Sequence, residues 1–225
     1  MDKYGALTRH IDKSMNPEDI GLKDYFSSKE EWLEKFISPC SLQKDWDLVA
    51  DEEGNTQIFS WPLFTEEFCK QIILEAELKD NWSSSRHEHY PTTDKLLSWI
   101  GLDKIYNEIL KDFVYPAAKQ LYSLEGKSWD NLNFENFIIK YENNKNKQSS
   151  LKMHHDFSLI TALVTLNQYG KDFAGGGTFF QKQKILIHKP AGYVSIHPGN
   201  ITHKHGARPV TTGKRYVMVT FSSNK

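Results

Sequence analysis

The stretch Leu151–Asn167, LKMHHDFSLITALVTLN, decides how this chain is read. Its second half, Leu159–Asn167, is rich in β-branched residues and reads as a short strand. Its first half carries His154, His155 and Asp156. In an extended chain alternate side chains share a face, so His154 and Asp156 point one way and His155 the other. A metal asks for that geometry from two nearby ligands. A polar patch at a strand start would carry the same letters, so the pair needs a third ligand before it means a metal.

Downstream, His197–Phe221 reads HPGNITHKHGARPVTTGKRYVMVTF. A third imidazole could come from His188, His197, His203 or His205, and spacing leaves the choice open. His203 and His205 would share a face on one strand. Two imidazoles and one carboxylate on one side of a metal leave the opposite positions free. That is the usual protein site for non-haem Fe(II) that must bind a substrate and O₂ together. Arg215 follows, and its planar fork suits a carboxylate clamp. Together these point to an oxidation with a dicarboxylate as co-substrate. The triple glycine of Asp172–Phe180, DFAGGGTFF, allows a tight turn or a close approach to a ligand; alone it is an ordinary loop.

Further out, the chain divides into helices first and strands second. Ser28 and Glu31 form a capping-box pattern ahead of Trp32, Leu33 and Phe36. The polar break Asp51–Asn55 suggests a boundary, with residues 1–55 as an extension of unclear role and 56–225 as the main domain. Gln57–Phe64 reads as extended and stopped by Pro62. Thr65 caps a helix with Glu66 and Glu67 in its first turn and Phe68, Ile72, Ile73 and Ala76 as its apolar stripe. A second helix is expected over Asp103–Tyr122, kinked or split at Pro116. Phe134–Glu142, Leu159–Asn167, Gly176–Phe180, Ile185–His188, Gly192–His197 and Arg215–Ser222 then read as short strands of a sandwich or barrel. The polar loop Glu142–Lys152 is placed to act as a substrate loop.

The bulk numbers exclude several classes. At 225 residues, with 39% hydrophobic and 25% charged residues, the chain is globular and can bury a sizeable core. A net charge of −1 points to neither nucleic acid nor a membrane surface. No apolar run is long enough to span a bilayer, and MDKYGALTRH has no apolar signal core. No retention or lipidation signal ends the sequence. The two cysteines, Cys40 and Cys69, read as free thiols.

Taken together, HHDFSLITALVTLN, GKDFAGGGTFF and GYVSIHPGNITHKHG…GKRYVMVTF resemble the catalytic domain of the procollagen lysyl hydroxylases. WPLFTEEFCKQI, WSSSRHE, PTTD and FENFIIKYE resemble the same family in the same order. His-x-Asp…His…Arg marks the wider 2-oxoglutarate and Fe(II) oxygenase superfamily; the GGG and HPGxxTHxH segments narrow it. The resemblance implies an α+β fold, a double-stranded β-helix or jelly roll with N-terminal helices packed on one sheet. It implies His154, Asp156 and His205 as iron ligands, with His203 near them. Arg215 would bind the far carboxylate of 2-oxoglutarate, and Tyr141 would help hold that co-substrate. The implied cofactors are Fe(2+), 2-oxoglutarate, O₂ and L-ascorbate. The implied reaction is hydroxylation of lysine at C5 in a collagen-like Gly-X-Lys peptide, by a homodimer. Animal relatives imply the endoplasmic reticulum; a viral or host-cell setting fits the missing signal peptide.

The sequence departs from that family in three places. The loop from Tyr141 to His154 is longer, Leu163 stands for an asparagine near the co-substrate, and GGGT replaces GGGC. Trp61 and Trp82 read as packing residues. Arg86, His87 and Glu88 read as a surface charge cluster with a site role as the alternative. Asp94 reads as a turn residue, or as a carboxylate for the substrate's ammonium. Competing readings are a prolyl hydroxylase, a non-catalytic module that binds collagen-like peptide, and a zinc hydrolase. The last has no evident general base and leaves Arg215 without a purpose.

Overall fold

The computed structural model describes residues 21–125, 132–144, 147–199 and 201–224. Residues 1–20 of the expected extension, and positions 145–146 of the expected substrate loop, lie outside them. A helical layer comes first: α1 (Lys29–Phe36), α2 (Pro39–Leu42), α3 (Trp46–Val49), α4 (Glu66–Glu77), α5 (Asp103–Ile109) and α6 (Tyr115–Leu121). No helix among the described residues is long and apolar enough to cross a membrane.

Local rules account for most of these helices. Thr65 accepts from the Phe68 N–H at 3.4 Å and so caps α4, whose Phe68, Ile72 and Ala76 are buried. Ile73 is only partly buried. Ser28 stands at the N-cap of α1 but makes no side-chain cap bond, so the expected capping box does not close. Pro116 does not break the second helix. A π-helical turn, Leu110–Val114, joins α5 to α6 and places Pro116 in the first turn of α6. There its missing N–H costs nothing.

Two antiparallel sheets form the other layers. The large one runs β1 (Asp51–Glu52), β2 (Phe59–Pro62), β10 (Tyr193–Pro198), β6 (Ile160–Thr165), β12 (Val210–Asn224), β4 (Leu132–Glu142) and β3 (Asp94–Leu96). The start of β12 also pairs with β7 (Phe173–Gly175). The small sheet runs β5 (Leu151–His154), β11 (His205–Ala207), β8 (Thr178–Phe180) and β9 (Ile185–Ile187). Two antiparallel sheets facing each other make a jelly roll. Strand β12 extends well beyond the expected Arg215–Ser222, because β4 pairs with it from Lys214 to Asn224 and β7 pairs with its start.

Both faces of the large sheet are covered. Alternation along β4 and β12 sends Ile138 and Met218 toward the helices, and Phe137, Ile139, Tyr141, Val217 and Val219 toward the small sheet. The helix-side core also takes Leu22, Tyr25, Trp32, Phe36 and Trp46. The described residues before position 56 therefore share one core with the rest, and the polar break at Asp51–Asn55 is not a gap in packing. Trp61 is fully buried against Trp46. Trp82 packs near Tyr216, with the Lys140 ammonium 4.1 Å from its ring centroid. Cys40 is exposed and Cys69 buried; both are free thiols, and burial pushes the Cys69 thiol up to about 12.

Candidate active site

Strand pairing assembles the site. His154 and His205 face each other directly across β5 and β11, with ring centroids 4.5 Å apart. Asp156 lies two residues past the end of β5 and returns to the same side: His154 Nε2 is 3.2 Å from its Oδ1, and His205 Nε2 is 3.6 Å from its Oδ2. Ligand-capable atoms of His154, Asp156 and His205 all lie within 4.8 Å of one another, and all three side chains are buried.

Backbone carbonyls set the tautomers. The Lys152 carbonyl accepts from His154 Nδ1 at 2.7 Å, and the His203 carbonyl accepts from His205 Nδ1 at 2.9 Å. Each imidazole thus turns its Nε2 toward the centre, as a metal-ligating histidine does. Thr161 Oγ1 donates to Asp156 Oδ2 at 2.6 Å and orients the carboxylate. Burial opposes a charge on Asp156, but His205 and the bond from His154 outweigh it and hold the carboxyl well below its usual range. Burial also opposes a proton on His154, yet its bond to Asp156 raises its proton affinity, whereas burial lowers that of His205. Two nitrogen donors and one carboxylate converging in a buried spot fit a divalent cation such as Fe(II).

The other histidines are elsewhere. His203 is not on β11; it bonds to the Thr202 hydroxyl and donates through Nε2 to the Thr56 carbonyl at 2.8 Å, a packed imidazole facing away. His188 stacks 4.1 Å from Tyr169. His197 is fully buried behind the triad, donates through Nδ1 to the Pro198 carbonyl, and lies with Nε2 3.9 Å from Asp156 Oδ2. Burial, helped by His205, pushes it down to about 3, so it is neutral.

Arg215 lies directly opposite Tyr141 in the β12–β4 ladder, on the inward face with Val217 and Val219. Its guanidinium carbon is 5.5 Å from the Tyr141 ring, and its Nη2 donates to Thr178 Oγ1 at 3.1 Å. Among the described residues no carboxylate pairs with this buried guanidinium. A buried charge without a counter-ion is expensive, which suits a group awaiting an anion. Burial pushes the Tyr141 phenol up to about 12, against the pull of Arg215, so it remains an O–H donor. The three glycines of GGGT all have positive φ, and a Cβ on Gly176 would lie 3.2 Å from Arg215 Cδ. Their backbone thereby approaches the arginine.

A cavity of about 420 Å³ joins these groups: His154, Asp156, His205, Tyr141, Thr178 and Arg215 all line it. Leu163 lines it too, so an apolar side chain stands where the family pattern has an amide. One wall is the segment Arg86–Thr92, with Tyr90 packed 5.1 Å from the His154 ring. The expected charge cluster Arg86, His87 and Glu88 is therefore part of the cavity wall. Asp94 is not: it is fully buried beneath that wall, where Arg86 Nη1 donates to its Oδ2 at 3.1 Å and Thr92 Oγ1 at 2.9 Å. His87 Nε2 also lies 3.1 Å from Oδ2, Oδ1 has no hydrogen-bond partner among the described residues, and Asp94 does not line the cavity. Thr161, Thr178 and Tyr90 were not legible in the sequence, since only strand pairing and loop closure bring them to the site.

Comparison with known proteins agrees with this geometry. Residues 130–224 match the model of the 2OG-Fe(II) oxygenase superfamily. The chain is 34% identical, over 94% of its length, to a procollagen lysyl hydroxylase and glycosyltransferase of Acanthamoeba polyphaga mimivirus, of which it spans 25%. It is 31% identical, over 98% of its length, to human procollagen-lysine,2-oxoglutarate 5-dioxygenase 1, of which it spans 30%. The fold matches a viral collagen prolyl hydroxylase from Paramecium Bursaria Chlorella virus-1, with a TM-score of 0.56 at 15% identity over 75% of this chain and 96% of that one. A Pseudomonas putida prolyl-4-hydroxylase matches with a TM-score of 0.57 at 12% identity over 76% of this chain and 94% of that one. The superfamily match covers the strands that carry the site, and the similarity to procollagen lysyl hydroxylases covers nearly all of this sequence, which spans only about a quarter to a third of those relatives.

Proposed function

We propose that this chain hydroxylates C5 of peptidyl-lysine in collagen-like Gly-X-Lys sequences, coupled to oxidative decarboxylation of 2-oxoglutarate to succinate and CO₂. The observation that carries it is one cavity shared by a His–Asp–His donor set and a buried arginine with no carboxylate partner among the described residues. His154, Asp156 and His205 would hold Fe(II). Bound there with 2-oxoglutarate and O₂, iron supplies the oxidising power to functionalise an unactivated C–H bond, which no side chain can.

The residues do the rest. Arg215 neutralises the far carboxylate of 2-oxoglutarate, and Thr178 holds the guanidinium in position for it. Tyr141, kept as a phenol, donates to the same co-substrate. The apolar wall of Phe137, Ile139, Leu163, Val217 and Val219 keeps water out, which strengthens each polar contact inside. The peptide would enter past Phe157, which is fully exposed beside Asp156. A homodimer and a requirement for L-ascorbate belong to the same reading, supported by the resemblance alone.

The experiment is succinate formation with Fe(II), 2-oxoglutarate and ascorbate, with and without a Gly-X-Lys peptide, followed by mass mapping. Peptide-stimulated succinate with one oxygen added to lysine is expected. Oxygen on proline would keep the chemistry and change the substrate. Peptide binding that survives removal of iron, with no succinate, would leave a binding module.

A further inference from the structure

We propose that Glu88 receives the ammonium of the substrate lysine and is the residue that selects lysine over an apolar side chain of the same length. The assignment rests on the lysyl hydroxylase reading above.

A lysine side chain entering the cavity passes an apolar wall that includes Phe137, Ile139, Val219 and Phe221. Its charged end loses water there, and an unpaired ammonium in such surroundings is costly. It needs a carboxylate. Among the described residues lining the cavity, only Asp156 and Glu88 carry one. Asp156 is committed to the donor set: His154 and Thr161 already hold its two oxygens. Asp94 and Glu135 pair with Arg86 but do not line the cavity, and Asp94 is fully buried. Glu88 remains. It is exposed at the wall, and no described residue forms an ion pair or hydrogen bond with its carboxylate.

The wall also holds Glu88 in place. Backbone bonds between Ser83 and Asp94, at 2.8 and 2.9 Å, close the loop at its base. Inside it, Arg86 forks between Asp94 and Glu135, and Gln148 donates to the Pro91 carbonyl at 3.2 Å. Two residues beyond Glu88, Tyr90 rests on the ring of His154. Glu88 is thus anchored on both sides, on a segment that touches a metal-site residue. A carboxylate carried on a held backbone binds a cation with less ordering cost than one on a loose loop.

The test compares two collagen-like peptides, one with lysine and one with norleucine, which keeps the straight chain and lacks the ammonium. Their binding to the protein loaded with Fe(II) and 2-oxoglutarate, without O₂, is measured by calorimetry. The wild-type protein is expected to prefer the lysyl peptide by about tenfold, the scale of one charged hydrogen bond. In Glu88→Gln that preference should vanish through weaker binding of the lysyl peptide alone, and Glu88→Lys should invert it. An undiminished preference in Glu88→Gln overturns the assignment while the lysyl reading stands. No preference in the wild type, together with no oxygen on lysine, overturns the lysyl reading and the assignment with it. Glu88 is exposed, so thermal unfolding of either variant should match the wild type and show that a lost preference is not lost folding.

Discussion

His154 and His205 use one local device. Each donates its Nδ1–H to the carbonyl two residues before it, and each is left with Nε2 facing Asp156. Asp156 is the anion of the set. Asp156→Ala should therefore abolish Fe(II) binding and succinate formation and leave the fold intact, as read by metal content, turnover and circular dichroism; wild-type rates would remove Asp156 from the metal site. Arg215→Ala should raise the 2-oxoglutarate requirement by about a hundredfold, the upper range for a charge-assisted contact, and change peptide affinity little. Collapse of peptide affinity instead would make Arg215 a substrate residue. Thr178→Val removes one acceptor from the guanidinium and should raise that requirement only several-fold in the same titration; no change would mean Arg215 holds itself. His154 and Asp156 were legible because they are two residues apart. The link from Thr178 to Arg215 spans 37 positions and exists only once the sheets have formed.

At the level of elements, the loop from Ser83 to Asp94 shows where local reading stops. Asp94 of PTTD reads as a turn residue or as a carboxylate for the substrate, and β3 pairs with β4 and carries it inside. There it is the counter-charge of Arg86, whose side chain is only 15% exposed. Asp94→Ala leaves Arg86 with only the half-exposed Glu135, so it should lose about 3 kcal/mol, the low end for breaking a buried pair. Urea unfolding would measure this, and limited proteolysis should show earlier cleavage in the loop. A loss below about 1 kcal/mol, the scale of an exposed pair, would mean that the backbone bridge alone holds the wall. The helices were more legible. Thr65 caps α4 as its type and position require, because a cap is a contact within one turn. The π-helical turn ahead of Pro116 was not, since packing of Phe113 and Val114 into the core decides how the chain passes the proline.

The whole molecule has a helical layer, a large sheet and a small sheet, with the site between the sheets and the larger hydrophobic core behind the large one. Trp32, Phe36 and Trp46, all before position 56, sit in that core. Large-to-small loss of one buried aromatic costs about 3–5 kcal/mol, and whole domains have only about 5–15. A chain reduced to residues 56–225 should thus show no cooperative melting by circular dichroism, where an independent domain would melt near the temperature of the full chain. Binding of iron with 2-oxoglutarate should stabilise the native state in proportion to its saturation, by about 2.7 kcal/mol at a hundredfold excess over Kd. An unmoved melting temperature would mean that the cavity does not bind them.

Sequence by itself determined whatever depends on neighbours along the chain: the period-two placement of His154 with Asp156, the cap at Thr65, the order of helices before strands. Short combined motifs also carried the family. Spacing alone does not separate His188, His197, His203 and His205; the family resemblance points to His205, and the tertiary structure supplies the physical reason. The pairing of β11 with β5 places His205 opposite His154 and leaves His203 to the Thr56 carbonyl. Tertiary structure likewise put Asp94 under the wall and Glu88 on it, since burial is a property of the packed molecule and not of the residue.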